Sequence, residues 1–153
     1  MKGNVENEKC LKIAMLGHKR IPSREGGIEI VVEELATRMV ARGHMVVCYN
    51  RKGHHVAGKD FNVEKLSEYK GVVLKEVFTI NRRGLAAMTS SVVASIKAAF
   101  GECDVVHIHA EGPAFMCWFP KLMGKKVVVT IHGWKDIIWL NQKTPHKYSV
   151  LTA

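Results

Sequence analysis

Apolar runs of strand length alternate along this chain with longer segments patterned at helical spacing. The first run, "LKIAMLG" (11–17), ends in glycine, as expected of a strand covered on both faces. Behind it Ile28, Val31, Val32, Leu35, Met39 and Val40 recur at three- and four-residue steps, with Glu33, Glu34, Arg38 and Arg42 on the other side. That pattern predicts an amphipathic helix stopped by Gly43. "MVVCYN" (45–50), "GVVLKEVFTI" (71–80), "DVVHIHA" (104–110) and "KVVVTIH" (126–132) read as four further strands. Residues 84–100 carry an Ala-rich second helix, 113–123 form an apolar segment of helical length, and the polar stretch 51–59, with His54 and His55, is a solvated loop. The order β-α-β-β-α-β-α-β predicts an α/β fold, a doubly wound parallel sheet with helices on both faces, because parallel neighbours need crossover connections.

At 153 residues and 47% hydrophobic content, there is material for one cored domain. Lys and Arg outnumber Asp and Glu by 23 to 14, a formal charge of +9 that favours phosphorylated ligands, nucleic acid or an acidic membrane surface. The basic residues are scattered, and no helix-turn-helix, RNA-binding aromatic signature or zinc finger occurs, which argues against nucleic acid. Cys10, Cys48, Cys103 and Cys117 are widely spaced with no C-x-x-C pair, and read as packing residues of a reduced, cytoplasmic protein. No apolar run approaches the ~18 residues of a membrane span. The expectation is a soluble chain, peripheral at most to the inner membrane face.

Ligands of a doubly wound sheet sit at the carboxyl ends of its strands. After the first strand come Gly17, His18, Lys19, Arg20 and then Gly26 and Gly27; after the fourth come His109 and Glu111; after the fifth comes His132. With Arg20 and Arg24 alongside, this rim is polar, basic and suited to an anion. The glycine pair opens a helix, where free N–H groups and the helix dipole attract a phosphate or a sugar hydroxyl, but a tight turn requiring positive φ would use the same residues. No G-x-G-x-x-G and no P-loop follows the first strand, so neither a nicotinamide cofactor nor a P-loop nucleotide site is expected. His107 and His109 lie two apart and share a strand face; His107 reads as a core histidine, and without an evident third ligand no metal is expected. Phe115, Trp118 and Phe119 fall at helical spacing and read as core. Lys125 and Lys126 are expected to cap a helix end or enter a strand.

"GHKRIPSREGGIEIVVEELATRMVARGH", "GLAAMTSSVVASIKAAF", "DVVHIHAEGP" and "VVVTIHG" form an ordered set. The set resembles the Rossmann-like amino-terminal domain of GT-B fold glycosyltransferases of family four, the bacterial rhamnosyltransferase-like subgroup in particular. The resemblance covers 12–133, with 1–11 as an amino-terminal tail. It implies retaining, metal-independent transfer of a sugar from a nucleotide-sugar donor to a polysaccharide or lipid-linked acceptor, with no other cofactor. It also implies the acceptor side of a two-domain cleft. Carried over by position, His109 touches the transferring sugar or acceptor hydroxyl at the reaction centre; Gly26 and Gly27 offer backbone N–H groups; Glu111 and His132 line the cleft; Arg20 and Arg24 add positive potential.

Members of that family are about twice as long and carry their donor-gripping residues in a second domain. After Gly133 the sequence "WKDIIWLNQKTPHKYSVLTA" departs from the subgroup, so 134–153 reads as an atypical tail left by truncation or frameshift. On this reading the chain is inactive alone and exposes an apolar face prone to self-association. The competing reading is a non-catalytic Rossmann-like module that binds a nucleotide or phosphorylated ligand, or a remnant of one.

Overall fold

The computed structural model describes residues 9–24, 26–53, 66–80, 82, 85–109, 116–132 and, as backbone alone, 148–152. Strands β1 (Lys12–Leu16), β2 (Met45–Arg51), β4 (Val72–Val77), β5 (Val105–His109) and β6 (Lys126–His132) run parallel, and β3 (Glu68–Tyr69) and β7 (Tyr148–Thr152) close the edges antiparallel. The sheet order is β3-β4-β2-β1-β5-β6-β7. Helices α1 (Gly27–Ala41), α2 (Leu85–Phe100) and α3 (Trp118–Leu122) supply the crossovers. This is the α/β, Rossmann-like doubly wound sheet expected from the alternation of apolar runs.

Strand alternation divides the core in two. Ile13 and Met15 of β1 face α1, packing with Val46, Cys48, Val72 and Leu74 against Val32 and Ala36. Ala14 and Leu16 point to the other face, where Tyr49, Val106, Ile108, Val127 and Val129 meet Ala94 and Ala98 of α2. Register follows: Ile13 stands between Val46 and Val105, and Met15 between Cys48 and His107.

Helix α1 ends where its glycine requires. Gly43 adopts φ +86, the amide of Gly43 donates to the Val40 carbonyl at 2.9 Å, and that of His44 to Met39 at 3.1 Å. Its expected polar side needs correction. Glu33 is buried, accepting a hydrogen bond from the Tyr69 hydroxyl at 3.1 Å and pairing with Arg24 at 3.7 Å. The two-residue strand β3 brings Tyr69 there, and so short a polar strand leaves no periodic trace.

Other expectations are adjusted by packing. Among the described residues of the apolar segment 113–123 the α-helix spans Trp118–Leu122, and Trp118 is 54% exposed rather than core. Cys10 is exposed, whereas Cys48 is fully buried. Lys125 donates from Nζ to the Gly101 carbonyl at 2.8 Å just past α2, and Lys126 opens β6. Strand β7 lies within the segment read as a tail, pairing Leu151 opposite Val129.

Candidate functional site

The carboxyl ends of β1, β2, β5 and β6 form one rim with the start of α1. Its foundation is a close crossing: Gly17, at φ +103, lies so near the His109 backbone that a Cβ there would overlap the His109 carbonyl oxygen. Only glycine fits this position. Chains 92 residues apart are thereby locked side by side.

Asn50, buried at the end of β2, fixes the loop after β1. Its Oδ1 accepts from the Ile21 amide at 3.1 Å, and its Nδ2 donates to the Ile21 carbonyl at 2.9 Å. Those two bonds set the amide orientation, so His18 Nε2, 3.1 Å from Oδ1, is the donor. His18 is then the Nε2–H tautomer, with Nδ1 buried and unpartnered among the described residues. Burial pushes its pKa down to about 4, against the opposing pull of Asn50 and Glu29. Arg51 follows, donating from its guanidinium to the Gly17 carbonyl at 3.1 Å and from its amide to Lys19 at 2.8 Å.

The glycine pair does not form the tight turn that positive φ would mark. Gly26 is the N-cap residue in extended backbone, φ −152 and ψ 154, and neither glycine has positive φ. No tight left-handed turn explains them. Gly26 instead leaves room for the Glu29 carboxylate, whose Oε2 lies where a Cβ would stand, while Oε1 accepts from the Lys19 amide at 3.1 Å. Glu29 thus folds back over the first turn of its own helix, a favourable place for negative charge. A Cβ on Gly27 would meet nothing within 4 Å, so the helix start is open on that side.

Three imidazoles continue the rim across β5 and β6. His107 and His109 share a face as their spacing requires, ring centroids 4.0 Å apart. His107 shares a 2.8 Å hydrogen bond with the Thr130 hydroxyl and is a satisfied core histidine. His109 is fully buried, its Nδ1 3.2 Å from His132 Nε2 and its rings stacked at 5.5 Å, with Nε2 unpartnered among the described residues. Burial and the neighbouring imidazoles push His109 down to about 2, and burial pushes His107 to about 4. His132, half-buried, is lowered by burial and pulled back up by the charge of Glu29. All are neutral at pH 7.

The expected residues therefore separate. Gly26, Gly27, His109 and His132 belong to one rim, linked through Glu29 and Gly17. His109 lies beneath it, fully buried at the strand tip where its position places it. A strand-end position does not reveal how closely the neighbouring strand crosses over it. Arg24 is drawn to Glu33 on the α1 flank, and Arg20 is half-buried beside the β1–α1 loop. Glu111 lies outside the described residues, as do His54, His55 and Phe115. Asn50 and Arg51 join the site at the end of β2, where polar residues closing the apolar run "MVVCYN" at the ligand edge are the sequence signal, and Glu29 joins it from the first turn of α1, where no local pattern marks it. Among the described residues no group of three or more His, Cys, Asp or Glu is placed to hold a metal ion, and no helix is long and apolar enough to cross a membrane.

The model of the family described as Glycosyltransferase Family 4 matches residues 25–152, from the β1–α1 loop through β7. No curated protein matches the chain.

Proposed function

This chain belongs to glycosyltransferase family 4, and from that premise we propose that it forms the acceptor-side, amino-terminal domain of a retaining, metal-independent transferase. Its substrates are a nucleotide-sugar donor and a polysaccharide or lipid-linked acceptor. The observation that carries this reading is the half-exposed neutral imidazole of His132, raised in proton affinity by the charge of the buried Glu29 carboxylate, beside an unobstructed helix start at Gly27.

That combination suits polyhydroxyl recognition. The half-exposed imidazole of His132, neutral, either donates a hydrogen bond to a sugar hydroxyl or accepts one, while the buried Glu29 carboxylate acts on it through its charge. A phosphate placed against Gly26 would meet the Glu29 carboxylate, so the diphosphate belongs nearer Gly27, Arg20 and Lys19. There the first free amides of α1 and nearby cations oppose the negative charge that develops on the leaving phosphate. His132 is the contact residue of this proposal. His109 is a positioning residue, holding the His132 ring from below at 3.2 Å.

Thermal stabilisation of the full chain by a panel of UDP-, GDP- and dTDP-sugars and of oligosaccharide acceptors tests the proposal. A ligand at one hundred times its Kd raises stability by about 2.7 kcal/mol. The expected result is such stabilisation by at least one compound, with affinity reduced about tenfold or more in His132→Ala and Glu29→Gln. Binding unaffected by both substitutions would overturn the assignment. Stabilisation by nucleotides but by no sugar or acceptor would favour a phosphate-binding module instead.

A further inference from the structure

Helix α2 is built inside out. The side chains it buries against the sheet are small, Ser90, Ser91, Ala94, Ser95, Ala98 and Ala99. Most of its large apolar residues fall on the outer face: Leu85, Met88, Val92, Ile96 and Phe100 lie at three- and four-residue steps, and Phe100 is 71% exposed. The only charge in sixteen residues is Lys97, also exposed.

The ridge continues into α3. The Phe100 ring meets Phe119 edge-on at 6.2 Å, Phe119 meets Trp118 at 5.7 Å, and Leu122 beyond is 75% exposed. Such a run of large apolar side chains exceeds the scattered singles of an ordinary surface. Lys97, Lys121 and Lys126, all exposed, stand on the same two helices and the strand that follows them. The acidic residues of this end, Glu102 and Asp104, lie in the turn after α2, with Glu102 bound to Lys12 at 2.7 Å. A second copy packed face to face would set these lysines against each other. An anionic bilayer surface complements them, since aromatic and aliphatic side chains enter the headgroup boundary while lysines pair with phosphates.

We propose that the outer face of α2 and α3, centred on Phe100, Trp118 and Leu122, docks the chain on an anionic lipid bilayer. The face lies at the amino ends of β5 and β6, opposite the rim, so docking leaves the rim open. This inference does not rest on the sugar-transfer reading, and its experiment contains no sugar.

The test is co-sedimentation of the full chain with vesicles of phosphatidylcholine alone or with added phosphatidylglycerol, alongside emission of Trp118 in a Trp134→Phe/Trp139→Phe background. The expected result is binding to the anionic vesicles with a blue shift of Trp118. Phe100→Ser/Leu122→Ser should weaken it about tenfold or more, and Lys97→Gln/Lys121→Gln/Lys126→Gln by on the order of a hundredfold. Both variants alter exposed side chains and should keep the wild-type melting temperature. Absence of binding, binding without a Trp118 shift, or binding indifferent to Phe100→Ser/Leu122→Ser overturns the proposal. So does a concentration-dependent dimer, seen by light scattering, that the same double substitution abolishes while vesicles go unbound.

Discussion

Asn50 holds the site more firmly than its place at the end of a strand suggests. One buried amide satisfies the backbone of Ile21 in both directions and orients His18, so Asn50→Ala strands three polar partners at once. Chemical denaturation should show a loss of about 3 kcal/mol, where an exposed Asn would cost almost nothing. Glu29 acts on a longer range. Its charge raises the proton affinity of His132 against burial, so Glu29→Gln should lower the His132 pKa further, read by an NMR titration of the imidazole. At this scale the sequence was informative where geometry is local. Gly43 marked the end of α1, and His107 was read correctly as a core residue. It is uninformative where elements distant in sequence meet: no local pattern shows how closely Gly17 lies against the His109 backbone, or that Gly26 makes room for the Glu29 carboxylate.

The elements were legible in proportion to their burial. Four of the five parallel strands stand out as apolar runs because the sheet around them is covered, whereas β4 shows itself by alternation, with Val73, Lys75 and Glu76 exposed. The edges β3 and β7 do neither: one is two residues long, and the other lies in a stretch of mixed polarity. Helix α2 was found by its composition, yet its orientation was hidden, since small residues carry little hydrophobic signal and the large ones point outward. Its packing makes a testable claim. Ser95 Oγ is buried with no hydrogen-bond partner among the described residues. Ser95→Ala removes that unsatisfied group and gains helix propensity, so urea unfolding should show stabilisation by about 1 kcal/mol. Ser91→Ala gains less, because that hydroxyl already donates to the Ala87 carbonyl at 2.6 Å.

Across the whole molecule, the row of neutral imidazoles ties folding to pH. In the folded chain His18 and His107 titrate near 4 and His109 near 2, whereas unfolded histidine titrates near ~6.5. The folded state therefore binds fewer protons than the unfolded one between those values. The stabilisation is complete above about pH 6.5 and falls as the pH drops, each imidazole adding up to about 1.4 kcal/mol per pH unit to the slope. Urea midpoints should decline from pH 7 to pH 4 more gently in His18→Gln than in the parent. The central claim is that the rim where His132 and Glu29 meet the open start of α1 is where sugar substrates bind. Imidazole and amide NMR of the full chain, titrated with nucleotide-sugars and oligosaccharide acceptors, tests it most directly. The account predicts saturable shifts at His132 and Gly27 with at least one compound; saturable shifts elsewhere that leave both unmoved would contradict it.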